Sequence, residues 1–383
     1  MKKVVILGAS GSIGSSTLSI IRQFPEHYSL LGVSAHTSGE KIGAIAEEFR
    51  PSVVVLGNED AAIKFRERLP DFRGEILVGE ENLCRLAAAD EADLVVAAIV
   101  GVAGLRPVEA ALQAGRRVLL ANKESLVCAG AYLMGVAARN GAHLLPIDSE
   151  HSAIFQLLEG RGGEDLASIT LTASGGPFWR MPPEAFSSIT PEQAVKHPRW
   201  SMGAKISVDS ATLVNKALEV IEAAWLFSLP EDRIKIVIHP ESIIHSLITF
   251  TDGVQFAQLS VPDMRGPIGY AMGYPEPRLT GMMTPLQLEE VGALTFAPLD
   301  DERFPAPQLA RSCLRSGGNA PAVFNLINER AVSLFLQGAI GFTEIVPLIE
   351  RGLSVFFDPR SPEPREIQHL ESRLWEWMEH SLS

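Results

Sequence analysis

The sequence predicts an α/β protein: an N-terminal doubly wound parallel sheet, a central α+β domain and a small C-terminal helical bundle. Three observations carry this. Short apolar runs at 3–7, 30–34, 53–56, 94–98, 118–120 and 144–145 alternate with helical stretches, as in a parallel sheet with crossover helices. After Pro146 the alternation gives way to mixed strands and helices. Beyond a stretch dense in proline and glycine, from Tyr274 to Pro307, only helical periodicity is left. The expected domains are therefore 1–148, 149–273 and 307–383, with 274–306 as a linker.

A chain of 383 residues is long enough for two or three domains with substantial cores. Its net charge of −13, from 33 basic and 46 acidic residues, argues against general nucleic-acid binding. An anionic small molecule is still compatible, since its site needs only local basic groups. Cys84, Cys128 and Cys313 stand far apart with no metal-ligand spacing, which fits a reducing compartment and core positions. The N-terminus enters a strand at once, without a signal-peptide pattern. No apolar run reaches membrane-spanning length, and a cytoplasmic protein that does not enter the membrane is expected.

Taken in order, the first strand runs into Gly8-Ala9-Ser10-Gly11-Ser12-Ile13-Gly14 and then an amphipathic helix through Phe24. Strand, glycine turn and helix form the context of a Rossmann-like dinucleotide site. Glycine lets the backbone approach a pyrophosphate, and the helix N-terminus offers its N–H groups. The spacing is G-x-x-G-x-x-G, and a purely structural tight turn is the alternative. No Asp or Glu directly follows the strand at 30–34. An acid there would bind a ribose 2′-hydroxyl and repel a 2′-phosphate, so its absence leans toward NADP, with His36, Thr37 and Ser38 as the phosphate's partners. The strand at 118–120 leads into Ala121-Asn122-Lys123-Glu124, at a carboxyl end where open α/β sheets place ligands.

Asp148 falls where the last strand of this series gives out. In extended chain, Asp148 and Glu150 would share a face, and two carboxylates that close repel unless a cation lies between them. A divalent cation is one reading; a polar turn capping a helix that begins near Ser152 is the other. The strand at 169–172 ends in Ser174-Gly175-Gly176-Pro177, a turn whose N–H groups suit an anion or simply close a loop. From 178 to 204, with Pro182, Pro183, Pro191 and Pro198, a long loop is expected to close over ligand. His197 can reach a phosphate there, and Trp200 and Met202 have no evident core role.

The stretch 208–222 has the period of one helix, capped by Asp209 or Ser210. Leu213, Val214, Ala217, Leu218 and Ile221 make its apolar face; Thr212, Asn215, Lys216, Glu219 and Glu222 fall opposite. That stripe reads either as a solvated face or as groups for a phosphate plus a third carboxylate for a metal. Three hard oxygen ligands suit Mg²⁺ or Mn²⁺ better than zinc. A strand at 234–238 leads to His239 and His245-Ser246, without compact zinc spacing. Another at 254–259 precedes Met264, which alone would be taken for core. Helices are expected near 307–315, 320–336, 343–351 and 362–380, the last started by Ser361-Pro362.

Several motifs are long, ordered and richer in polar residues than packing demands. They are Leu120-Ala121-Asn122-Lys123-Glu124-Ser125-Leu126, Asp148-Ser149-Glu150-His151, Ser174-Gly175-Gly176-Pro177-Phe178, His197-Pro198-Arg199-Trp200-Ser201-Met202-Gly203, Ser207-Val208-Asp209-Ser210-Ala211-Thr212 and His239-Pro240-Glu241-Ser242-Ile243-Ile244-His245-Ser246. Together they resemble the 1-deoxy-D-xylulose 5-phosphate reductoisomerase family, from the first strand into the C-terminal region. The resemblance implies NADPH- and divalent-metal-dependent rearrangement and reduction of a sugar phosphate, giving 2-C-methyl-D-erythritol 4-phosphate for non-mevalonate isoprenoid precursor synthesis. It implies metal ligands Asp148, Glu150 and Glu219, and Lys123 and Ser149 at the reacting end of the substrate. Ser174, His197, Ser210, Asn215 and Lys216 would hold the phosphate, beneath a mobile lid carrying Trp200. Ser10, Gly11, Ser12, Ile13, Asn122, Glu124 and Gly203 would bind the cofactor, with Met264 beside the nicotinamide. Members are homodimers.

Two rivals remain at this point. A metal-assisted, NADP-dependent hydroxy-acid dehydrogenase without skeletal rearrangement explains the nucleotide turn and the carboxylates, but not the two serine motifs suited to phosphate. A catalytically silent nucleotide sensor would lack the carboxylates or Lys216, and all are present.

Overall fold

The computed structural model describes residues 1–161, 163–197, 200 and 202–382. They form two compact units: Met1–Ser125 with Leu133–Ser152 and Asp263–Thr284, and Leu126–Tyr132 with Ala153–Pro262 and Pro285–Ser383.

In the first unit, β1 (Lys2–Leu7), β2 (Tyr28–Ala35), β3 (Val53–Leu56), β4 (Glu75–Val78), β5 (Leu94–Ala97), β6 (Arg117–Leu120) and β7 (His143–Pro146) form one sheet. Its order is β4-β3-β2-β1-β5-β6-β7 and every pair is parallel. The chain builds outward from β1 to β4, then returns to β5 beside β1, so the strand order reverses between those two. That is where a doubly wound sheet opens a ligand crevice. Val4, Val5, Ile6, Leu94, Val95, Val96, Val118, Leu119 and Leu120 are fully buried, as central parallel strands covered on both faces must be. The sequence pattern did not predict β4. It is a four-residue edge strand with Glu75 exposed and its apolar residues only half-buried, so it leaves no apolar run to read.

Asp263–Thr284 also belongs to this unit, although the expected divisions fell at 148 and 273. Lys2 Nζ donates to the carbonyls of Met272 (3.3 Å) and Gly273 (3.2 Å) at the end of the helix Arg265–Gly273. Arg117 Nη1 donates to Tyr274 O at 2.8 Å. Cations thus satisfy carbonyls at the negative end of the helix, fastening it to β1 and β6.

In the second unit, β8 (Leu166–Ala173), β9 (Ile234–Ile238), β10 (Ile244–Phe250) and β11 (Gln255–Leu259) form a sheet ordered β11-β10-β8-β9. β8 and β9 are parallel, and β10 is antiparallel to β8 and β11. Ile169, Leu171, Ile234 and Ile248 of this sheet share a core with Val220 and Ala223 of the helix Val214–Leu226. Burying each large side chain there contributes about 1.5–3 kcal/mol.

The single helix expected at 208–222 is two, Ala204–Ala211 and Val214–Leu226. Thr212 Oγ1 donates back to Val208 O (3.0 Å) and Asp209 O (3.2 Å), and Leu213 takes a left-handed φ of 57°. Apolar periodicity continues on both sides of this joint and conceals it. Asp209 and Ser210 lie inside the first helix rather than capping it.

Nor is the first half of 178–204 a free loop. It holds a 3₁₀ turn, Pro183–Ser188, and a short helix, Pro191–Ala194, closed by a Thr190–Gln193 capping box. Phe178 and Phe186 stand edge-on to Phe342, at centroid distances of 5.5 and 6.0 Å. The Arg303 guanidinium donates to the carbonyls of Phe178 (3.3 Å), Trp179 (3.0 Å) and Met181. Aromatic anchors at irregular spacing have neither helical nor strand period, which is why the sequence read as loop. Within the expected lid, Pro198, Arg199 and Ser201 lie outside the described residues.

The C-terminal helices are Ala306–Ser316, Ala320–Leu336, Ile345–Phe356 and Pro364–Leu382. They share the second unit with the central sheet instead of standing as a domain of their own. Arg311 of the first of them donates to the carbonyls of Glu231 and, at 2.6 Å, Ile234. The last helix begins at Pro364, not at Ser361-Pro362: Glu363 N–H donates to Glu366 Oε2 at 2.9 Å, while Ser361 Oγ reaches Gly318 O. Between 274 and 306, regular structure among the described residues amounts to the helix Leu288–Val291 and one bridge between Ile238 and Ala297, apart from the first residue of the next helix. Among the described residues, no helix is long and apolar enough to cross a membrane.

Candidate active site

At the end of β1, the glycines divide their work. Gly8 has a φ of 86°, and a Cβ there would lie 2.7 Å from Ala98 O. At Gly14 a Cβ would lie 2.4 Å from Ala9 O. Both are demanded by close backbone packing. Gly11 is different: its nearest neighbour would be Gly8 O at 3.5 Å, and the residue is exposed. It caps the helix Ser12–Gln23, which has neither a side-chain cap nor an acid in its first turn. The positive end of that helix is therefore not neutralised locally, the condition for receiving a pyrophosphate. Ser10 and Ile13 are half-buried and Ser12 exposed around this end. After β2, His36 and Thr37 are exposed and Ser38 half-buried. A Cβ at Gly57 would fall 2.0 Å from His36 Nδ1, so the imidazole rests on the backbone after β3, a support the sequence did not reveal.

Asn122 is buried and its side chain is committed. Its Nδ2 donates to Ile99 O and Gly101 O, both at 2.8 Å, and lies 3.1 Å from Glu124 Oε2. Ser125 Oγ donates to its Oδ1. The side chain thus shapes the loop after β5. Lys123, also buried, forms an ion pair with Asp148.

Asp148 is not in extended chain, because a helix runs from Ser149 to Leu158, three residues earlier than expected. Asp148 O accepts the Ser152 N–H and its Oδ1 accepts the Ser149 N–H, both at 2.9 Å, so it acts as the cap. Glu150 stands in the first helical turn, its Oε2 accepting from Ser149 Oγ at 2.5 Å. The two carboxylates are brought to one helix start, where the dipole favours negative charge, rather than to one face of a strand. His151, which the sequence reading left without a role, is buried with Nδ1 4.0 Å from Asp148 Oδ2.

In the second unit, Ser174 Oγ lies 2.9 Å from His197 Nε2, and His197 Nδ1 accepts the Trp200 N–H at 2.9 Å. An accepting Nδ1 puts the ring proton on Nε2, from which it is donated to Ser174. Ser174 Oγ also accepts the Gly176 N–H at 3.3 Å. Gly175 and Gly176 have φ of 83° and 67°, and Cβ atoms there would lie 2.8 Å from Trp179 Cγ and 2.6 Å from Ser210 O. The turn is thus pressed against the end of the helix Ala204–Ala211, with Gly176 against the Ser210 carbonyl.

The polar stripe beyond Thr212 is not a solvated face. Lys216, Glu219 and Glu222 are 3 %, 0 % and 0 % exposed. Glu219 is bonded by both predicted neighbours: Asn215 Nδ2 donates to Oε1 at 2.5 Å, and Lys216 Nζ pairs with Oε2. Buried charges need such partners. Trp200 is half-buried, Gly203 is the exposed cap of the helix Ala204–Ala211, and Met264 is a half-buried helix start rather than core.

Three segments match models of one family. Residues 4–130 match "1-deoxy-D-xylulose 5-phosphate reductoisomerase", 144–227 its C-terminal domain, and 259–375 the "DXP reductoisomerase C-terminal domain". The 1-deoxy-D-xylulose 5-phosphate reductoisomerase of Chlorobaculum tepidum is 50% identical over 351 residues, 92% of each chain. That of Geobacter metallireducens is 48% identical over 379 residues, 98% of this chain and 97% of its own. A crystal structure of DOX-P reductoisomerase with NADPH, fosmidomycin and magnesium superposes with a TM-score of 0.93 at 39% identity, covering 100% of this chain and 98% of its own. These likenesses run along nearly its whole length: the chain belongs to the 1-deoxy-D-xylulose 5-phosphate reductoisomerase family.

Proposed function

We propose that this chain converts 1-deoxy-D-xylulose 5-phosphate to 2-C-methyl-D-erythritol 4-phosphate, using NADPH and Mg²⁺ or Mn²⁺. The observation that carries the reading is its full-length likeness to the NADPH, fosmidomycin and magnesium complex. The residues fit both groups. The open Gly11 and unneutralised helix end suit a dinucleotide, with Ser10, Ser12 and Ile13 around them. Asp148, Glu150 and Glu219 offer only carboxylate oxygens, the donor set of a hard divalent cation. When bound, that cation supplies Lewis-acid stabilisation of negative charge on substrate oxygens.

The chain's own groups do the rest. The Ser174–His197 pair, the Gly175–Gly176 turn, Ser210, Asn215 and Lys216 bind the phosphate, so that remote binding energy goes into orientation. Trp200 covers the substrate and excludes water. Lys123, held on Asp148, and Ser149, held on Glu150, orient the reacting end. Asn122 and Glu124, which fix the loop after β5, would hold the cofactor together with Met264 and Gly203. When bound, NADPH would supply the hydride that reduces the rearranged skeleton, being oxidised to NADP⁺.

Incubation with substrate, NADPH and Mg²⁺ tests this, reading nicotinamide absorbance and product carbon-13 NMR together. A branched polyol phosphate is expected; an unbranched reduced product would instead favour the hydroxy-acid dehydrogenase. We assign the protein to the cytoplasm, which fractionation checks, and infer a homodimer. Val254 and Phe256, just before and on the edge strand β11, are 49 % and 39 % exposed and share a face, an apolar patch that a second copy would cover. Light scattering should give twice the chain mass, and Phe256→Lys should halve it; a monomeric wild type would refute the dimer.

A further inference from the structure

Asp209 is a buried acid that neither the metal nor the phosphate assignment uses. It is 1 % exposed, inside the helix Ala204–Ala211. Two side chains hold it: Lys205 Nζ, one turn earlier, lies 2.8 Å from Oδ2, and Asn328 Nδ2 donates to Oδ1 at 2.8 Å. Asn328 is fully buried on the helix Ala320–Leu336, far away in sequence. A buried carboxylate is poor value for stability alone, since a well-packed apolar residue commonly does as well or better. Its place in the fold supplies another use. Ser210 comes next in the chain, and its carbonyl would lie 2.6 Å from a Cβ at Gly176, in the turn that carries Ser174. The main-chain carbonyl of Asp209 accepts from Thr212 Oγ1, where the helix stops and the chain turns toward Asn215 and Lys216.

We propose that Asp209 is a positioning residue for the phosphate cradle. Lys205 and Asn328 hold its carboxylate from the two sides, which sets the last turn of the helix and with it Ser210 against the Gly175–Gly176 turn. Through Asn328, the C-terminal helix Ala320–Leu336 fixes the geometry of a site it does not line. The proposal rests on the phosphate reading above, and the control below separates the two.

Asp209→Asn keeps the shape but removes the charge that Lys205 faces; Asn328→Ala removes one hydrogen bond from outside the cradle. Each should raise KM for the phosphorylated substrate and weaken competition by inorganic phosphate about tenfold, on the scale of one hydrogen bond to a charged group. KM for NADPH should not move. A merely structural role would instead lower melting temperature and the active fraction, leaving both KM values unchanged, and that result in Asn328→Ala overturns the proposal even if Asp209→Asn fails to fold. Ser210→Ala is the control. If it too leaves substrate KM unchanged, the phosphate reading fails; if it raises KM while Asn328→Ala does not, only the positioning role fails.

Discussion

Glu219→Gln separates a structural carboxylate from a metal ligand, because the two roles leave different thermal signatures. Glu219 and Lys216 are buried together, with side-chain exposures of 1 % and 4 %. Removing one partner of such a buried pair costs about 3–5 kcal/mol. Glutamine still offers a polar partner, so about 3 kcal/mol is expected. At roughly 2–4 °C per kcal/mol for a domain of this size, Tm without metal should fall by about 6–12 °C. Adding Lys216→Met removes the ammonium that faced Glu219 and should return part of that loss without restoring activity. The metal term is read on top. At a hundred times its Kd, Mg²⁺ stabilises the wild type by about 2.7 kcal/mol, or roughly 5–11 °C. Scanning calorimetry with and without Mg²⁺ measures both terms. The reasoning predicts that Glu219→Gln loses most of the Mg²⁺ increment as well as apo stability. An undiminished increment would refute Glu219 as a ligand, and an unchanged apo Tm would refute the buried pair.

Three further outcomes follow from single side chains. Trp200 is half-buried and its backbone, not its ring, bonds His197, so Trp200→Ala should lower kcat/KM while leaving apo Tm nearly unchanged; a core-sized loss of about 3–5 kcal/mol would return it to a structural role. NADPH should be preferred over NADH, and His36→Ala should narrow the preference, because His36 stands over Gly57 where β2 ends with no acid beside it; equal kcat/KM for the two cofactors in wild type would refute this. Burial pushes the Cys313 thiol up to about 12. A raised acid favours the folded state at low pH and loses that stabilisation as pH rises from its unfolded value toward 12. Native Cys313 should therefore resist iodoacetamide at pH values near the ordinary thiol pKa of about 8.5, with mass spectrometry as readout; labelling at the rate of a free thiol would contradict its burial.

The parallel sheet was legible because its inner strands are apolar on both faces: the run expected at 53–56 coincides with β3 to the residue. What escaped the pattern had no period to detect. β4 is a half-exposed edge, the joint at Thr212–Leu213 interrupts a helix without interrupting its apolar rhythm, and the wall at 178–195 is held by Phe178, Phe186 and Arg303 at irregular spacing. The domain division was hidden for a different reason. Asp263–Thr284 returns to the first unit by placing helix-end carbonyls on Lys2 and Arg117, which are distant in sequence.

The candidate site was legible by residue but not by environment. Period 3.6 identified Asn215, Lys216 and Glu219 as a non-apolar side of a helix, and periodicity is blind to whether that side is wet. The pairing within the sequence was the available clue. Lys216 precedes Glu219 by three residues and Lys205 precedes Asp209 by four, so each acid carries its own counter-ion on the same helix face. On a solvated surface such pairs are worth a few tenths of a kcal/mol and are interchangeable with many others. Once buried, each charge requires its partner and becomes expensive to alter. Asn215 on Glu219 and Asn328 on Asp209 complete the distinction, since each supplies a short amide donor where a surface acid could have used water. Two buried acids, each held by a lysine on its own helix and by an amide donor, therefore stand where the pattern alone would allow a solvated face.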